Sequence, residues 1–308
     1  MKNVILNMLP FNNRKDMTIV EYIIKKVLAF TLIYFVSALI GEVVVIGALI
    51  TAGYDPLHGV MPGGEVPFLL QYYGFGTFIL ITLLYSKIIE KMPVKSFLKG
   101  SIIDYLFGSL IAIILLSVII VGCCISGSIS FIGINDSINT ASLVLWLIAF
   151  IIQSGAEEVM VRGFLLRTLR YKVPTLVAVL VSSTSFVIPH LSSILDSEIK
   201  YAVVGMINLY LVSFIFSILF LMKESIWISC GLHFTWNFLL NIIMGLTLTG
   251  SGSVSSKVML FNVNECSLIN GGAYGIEAGI ITSLILAVTL ICIFVIMQKR
   301  GRDEDGIQ

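Results

Sequence analysis

LIAIILLSVIIVG, residues 110–122, carries no charge and does not alternate apolar with polar positions. A membrane β-strand needs about ten residues of alternating polarity, so this stretch reads as helix. It lies inside an apolar run at 102–125, and seven more runs stand at 27–50, 67–86, 141–160, 176–195, 201–222, 226–248 and 277–298. Most are close to the roughly 20 residues that cross a hydrocarbon core. With 57% hydrophobic and 12% charged residues and a mean hydropathy of +1.02, the composition lies outside that of soluble globular domains. The expectation is an all-α polytopic membrane protein with about eight transmembrane helices.

Cytoplasmic loops carry the excess of Lys and Arg. Lys2, Arg14, Lys15, Lys25 and Lys26 precede the first run, and Lys87, Lys91, Lys95 and Lys99 follow the second. Arg167, Arg170 and Lys172 follow the fourth, Lys223 the sixth, and Lys299, Arg300 and Arg302 the last, while only Lys200 and Lys257 fall on the other side. Both termini are therefore expected in the cytoplasm, with residues 1–20 along the inner interface and the first run an uncleaved anchor. A net charge of +1 gives no reason to expect a nucleic-acid partner. The five cysteines form no CxxC pattern and no disulfide framework. The longest loop, about 249–276, is rich in Gly, Ser and Asn and reads as a mobile external connection. Without an internal repeat, residues 1–308 read as one membrane domain, with the chemistry in 150–240.

An ionisable group inside a membrane helix costs about 2.5–3.5 kcal/mol on insertion scales and marks a functional candidate. Three motifs qualify. In GAEEVMVRG, Glu158 and Arg162 stand four residues apart and share a helix face, whereas Glu157 points about 100° away. In SFVIPHL, Phe186 and His190 are one turn apart, with Pro189 beside the histidine to bend the backbone. In HFTWN, His233 and Asn237 repeat the same spacing. Each has a bland counterpart: an ion pair at a helix end, a packed histidine, and a hydrogen bond between helices.

Depth along the helices favours the three acting together. The fourth and fifth runs form a hairpin turning near Val173 and Pro174. Glu157 lies 16 residues before Val173 and His190 lies 17 after it, so each is about 25 Å from the turn. His233 sits about 13 Å beyond a turn near Glu224. The three depths agree if the hairpin, with its basic tip, projects roughly 10 Å into the cytoplasm. Such a group suits water activation: a carboxylate takes the proton, a histidine orients the water or protonates the leaving amine, and further donors meet the oxyanion. Glu157, His190 and His233 also equal a zinc ligand set, and spacing does not separate a metal site from a metal-free glutamate mechanism.

Glu-Glu-x-x-x-Arg, Phe-x-x-x-His and His-x-x-x-Asn, in that order on successive membrane helices, resemble the CPBP family. That family contains the type II CAAX prenyl proteases and bacterial bacteriocin-processing and immunity relatives. The resemblance covers about 150–240 and implies an intramembrane endopeptidase of the cell membrane, acting on a membrane-associated peptide or lipidated protein tail. It implies that Glu157 is the base acting on water, that His190 shares this water, and that Glu158 and Arg162 support the site. Phe186 would pack beside it, and His233 with Asn237 would form the oxyanion hole. Members often carry an aromatic residue just before the motif arginine, where Val161 stands here, a change expected to alter packing rather than chemistry. The alternative is a non-enzymatic immunity or regulatory protein of the same fold. A proton-coupled transporter is a third class, disfavoured by the lack of repeats and of broken helix pairs. Glu42 and His58 are expected to have no catalytic role, and Trp146, Trp227 and Tyr85 read as interfacial anchors.

Overall fold

The computed structural model describes residues 2–246, 257–264 and 266–305. In chain order its helices are α1 (Lys2–Met8), α2 (Ile19–Thr51), α3 (Val66–Gly74), α4 (Gly76–Ile88) and α5 (Ile102–Ile125), then α6 (Thr140–Glu158), α7 (Arg167–Leu169) and α8 (Thr175–Val187), and finally α9 (Leu191–Leu195), α10 (Ile199–Lys223), α11 (Trp227–Phe238) and α12 (Ile280–Asp305). π-Helical turns over Val159–Leu166 and Leu239–Ile243 continue α6 and α11 without a break. Two short strands, β1 (Ile129–Ile134) and β2 (Met259–Val263), pair antiparallel. The protein is thus an all-α polytopic membrane protein, as its apolar runs require.

Among the described residues, seven helical stretches are long and apolar enough to cross a membrane: Ile19–Thr51, Val66–Ile88, Ile102–Ile125, Thr140–Leu169, Thr175–Ile194, Ile199–Lys223 and Ile280–Lys299. The eighth run, 226–248, is helical only over α11 and its π-turn, and its last two residues lie outside the described ones. The fourth run is longer than read from hydropathy, because the π-turn and α7 carry the helix through Arg162 and Arg167 to Leu169. The loop read as a featureless connection contains β2 and two 3₁₀ turns, Gly272–Tyr274 and Ile276–Ala278, while 249–256 lies outside the described residues.

Packing divides the chain into two compact units. One joins Met1–Lys99 to Ala141–Ser185, and the other joins Gly100–Thr140 to Phe186–Gln308. In the first unit, a capping box between Thr18 and Glu21 starts α2, satisfying two backbone donors that the helix leaves over. Lys25 and Lys26 are not solvated flank residues. Lys26 pairs with Glu90 at 2.5 Å inside the unit, and Lys25 donates to Asn12 Oδ1 and the Arg14 carbonyl. The segment between α1 and α2 is thereby tied down over the helix ends, with Tyr85 donating to the Pro10 carbonyl and Lys172 to those of Lys15 and Met17. Trp146 is a core residue rather than an interfacial anchor, being 1% exposed and packed edge-on to Tyr72.

In the second unit, α5 starts on its own capping box, Ser101 with Asp104, and crosses α11 at two glycines. A Cβ on Gly108 would lie 2.0 Å from the Ile228 carbonyl oxygen, and one on Gly231 would lie 2.0 Å from that of Tyr105. Small residues let two backbones meet where lipid gives no hydrophobic drive to association. The crossing fixes α11, the helix of His233 and Asn237, against α5.

Candidate active site

The first motif lies in the first unit. Glu158 and Arg162 pair at 2.9 Å with both side chains 0% exposed, as the four-residue spacing predicts. Arg162 sits inside the π-turn that begins immediately after Glu158, so the pair spans the change of helical geometry. π-Turns within α-helices occur frequently at functional positions. The turn is held from outside by the Phe97 ring, 2.8 Å from where a Cβ on Gly163 would stand. Arg167 lies over the same ring and donates to the Ser96 carbonyl. Val161, which replaces the aromatic residue common among members, is buried.

Glu157 is half-buried and accepts a 2.6 Å hydrogen bond from Gln153 Nε2, one turn earlier on α6. Outside the Glu158–Arg162 pair, as the spacing predicts, this carboxylate is held by Gln153 instead. Gln153 is a site residue the motifs did not supply, although its spacing of four from Glu157 was readable.

The second and third motifs lie in the second unit. α8 ends at Val187 and a 3₁₀ turn, Ile188–His190, follows, because Pro189 lacks the N–H that an α-helix needs there. His190 Nδ1 lies 2.9 Å from the Phe186 carbonyl oxygen. A carbonyl only accepts, so Nδ1 carries a proton and, in the neutral ring, Nε2 presents the lone pair. The Phe186 ring touches both histidines, at 5.0 Å from His190 and edge-on at 6.1 Å from His233. Phe216 of α10 stacks on His233 at 5.1 Å between ring centroids and meets the Phe186 ring edge-on at 6.3 Å. His233 thus packs into a three-ring cluster with Phe186 and Phe216 from two other helices, and the stack on Phe216 orients its plane.

Asn237, one turn beyond His233, is buried, and the second π-turn begins two residues later. Between them Trp236 Nε1 donates to Glu277 Oε1 at 3.0 Å, while Asn208 donates to the Glu277 and Gly279 carbonyls at 2.7 and 3.1 Å. The turn before α12 therefore holds the motif helix from outside the motif. Phe216 gave no sequence signal within its apolar run. Glu277 gave a faint one, as an acidic residue at the head of the last run.

Glu42 is exposed, and exposed His58 pairs with Asp55 at 2.8 Å in an external-type turn. Among the described residues no three or more His, Cys, Asp or Glu side chains are grouped to hold a metal ion.

Neither the curated proteins nor the solved structures contain a match to this chain. One family model does match, over residues 139–239, a stretch that runs from the start of α6 to the end of α11 and holds all three motifs in order. Residues 139–239 of this chain match the model of the family described as Type II CAAX prenyl endopeptidase Rce1-like.

Proposed function

We propose that this protein is an intramembrane endopeptidase that hydrolyses a membrane-associated peptide or a lipidated protein tail in the cell membrane. The observation that carries this reading is the family match across 139–239, which encloses Glu157, Glu158, Arg162, Phe186, His190, His233 and Asn237.

In this mechanism Glu157 removes a proton from water as the water oxygen attacks the scissile carbonyl carbon. Gln153, bonded to Glu157 Oε1, holds that carboxylate in a fixed rotamer. His190 meets the same water through Nε2, the nitrogen not engaged with Phe186, takes the second proton of that water as the tetrahedral intermediate collapses, and passes it to the amine nitrogen as the carbon–nitrogen bond breaks. His233 and Asn237 donate to the oxyanion that forms at the carbonyl oxygen. The packing of His233 against Phe186 and Phe216 supports this role, because an oxyanion donor works through preorganisation. Glu158 and Arg162 hold the backbone across the π-turn, and Phe186 packs beside the histidines. The products are a carboxylate and an amine, and the proton held by Glu157 then leaves to the amine or to water, which restores the carboxylate base.

Peptides released from cells carrying the wild-type protein, compared with those from cells carrying Glu157→Gln, test the reading. The amide keeps the shape and loses the base, so release should fall by at least about 10²–10⁴ while the melting temperature in detergent is unchanged. Undiminished release by a folded Glu157→Gln protein would remove Glu157 from the role of base.

A further inference from the structure

The β1–β2 ribbon has a use that the proposed proteolysis does not call on. Its register pairs Ile129 with Val263, Phe131 with Phe261, Gly133 with Leu260 and Ile134 with Met259, and a bulge falls between Phe131 and Gly133. Cross-strand partners share a face, and the bulge consumes one residue. Ile134 thus returns to the face of Phe131, and three consecutive pairs on that face are wholly apolar: Ile129/Val263, Phe131/Phe261 and Ile134/Met259. Without the bulge, Ile134 would point the opposite way.

The other face carries the Gly133/Leu260 pair and is otherwise polar. Ser130 pairs with Asn262, and both donate to Asn264 Oδ1 at 2.9 Å, while Asn264 Nδ2 donates to the Gly127 carbonyl at 3.0 Å. The ribbon is amphipathic, yet much of its apolar face is uncovered. Phe131 is 53% exposed, Ile134 61% and Val263 45%.

The ribbon's position says what lies against it. The Ser128 N–H and hydroxyl both bond the Cys123 carbonyl, so β1 leaves α5 within one turn of the helix end. The Val258 N–H donates to the Ile242 carbonyl, which ties the start of β2 to the π-turn after α11. A two-stranded ribbon in water is marginal on its own. The ribbon is fastened to the end of α5, a helix long and apolar enough to cross a membrane, and to the turn after α11, and the layer where hydrocarbon meets headgroups at such helix ends is only about 5–8 Å deep.

We infer that the ribbon is a membrane-surface anchor, its Phe131, Ile134 and Val263 face immersed at the hydrocarbon–headgroup boundary of lipid and its Ser130, Asn262 and Asn264 face in water. This is the sheet counterpart of an amphipathic interfacial helix.

The test uses the unaltered chain in bilayers containing a phospholipid with a photoactivated carbene precursor near the headgroup end of one acyl chain. Sites of insertion are mapped by mass spectrometry and compared with those of a water-soluble carbene reagent. The lipid reagent should mark Phe131, Ile134 and Val263, and the water-soluble one Ser130 and Asn262. Marking of Phe131 and Ile134 by the water-soluble reagent, or by neither reagent, would overturn the inference, the second result meaning that protein covers the face. As an independent reading, the added emission of Phe131→Trp should be quenched by lipids brominated high on the acyl chain and spared by aqueous iodide. The reverse pattern would overturn the inference equally.

Discussion

The two units bury polar groups in different currencies. The first buries charge: Glu158 with Arg162, and Lys26 with Glu90, four ionisable side chains withdrawn from solvent as two pairs. The second buries polar groups held by rings and amides: His233 against Phe186 and Phe216, Trp236 on Glu277, and Asn208 on two carbonyls. An ion pair out of water is unforgiving, because losing one member strands the other, whereas a neutral donor leaves a smaller debt. The first unit therefore depends on its polar residues to stay folded. The second can lose one and keep its shape, which leaves its polar residues available to chemistry.

Single substitutions should separate the two. Glu158→Gln leaves Arg162 buried opposite an amide and should cost about 3–5 kcal/mol, read as a lower melting temperature and poorer expression as well as lower activity. A melting temperature equal to wild type would mean that the pair does not hold the first unit together. Asn237→Ala should slow turnover by about 10²–10³ with little change in substrate binding or melting, if its amide meets the oxyanion. A raised KM with unchanged kcat would point to substrate binding instead.

At the α5–α11 crossing, Gly231→Ala forces a Cβ onto the Tyr105 carbonyl and should cost about 1–3 kcal/mol of stability. Gly47→Ala in α2, where nothing lies within 4 Å, should cost none. Equal behaviour of the two alanines in a detergent melt would show that the crossing yields easily. The smallest effect belongs to Glu277→Gln. It weakens a charge-assisted bond to Trp236 without removing the acceptor, a change of about 1 kcal/mol seen as altered Trp emission and a modest fall in activity.

The same contrast decides what could be read without coordinates. Glu158 and Arg162 declared themselves because both partners lie on one helix at one spacing, and Gln153 with Glu157 obeys that rule too. The helices themselves were legible from apolar runs, since a bilayer fixes their length. Phe216, Glu277 and the ribbon were not, for their partners come from distant parts of the chain, and no local period reports a contact across 17 or 134 positions, as in Phe216–His233 or Ser130–Asn264. Length misled in two places. α11 with its π-turn is shorter than its apolar run, and α6 with its π-turn and α7 is longer, because backbone geometry rather than hydropathy ends these helices.

The ribbon also keeps count. Strands that exchange backbone hydrogen bonds stand on one side of a bilayer, so the chain between β1 and β2 must cross an even number of times. Three long apolar stretches lie between them, Thr140–Leu169, Thr175–Ile194 and Ile199–Lys223. If each crosses once, parity requires a fourth passage, and α11 with its π-turn is the helix available. At 12 and 5 residues it is about 26 Å long, short of a hydrocarbon core of about 30 Å. A bilayer meets so short a span by thinning. The thin place would fall beside His233 and Asn237, bringing headgroups and water nearest to the third motif.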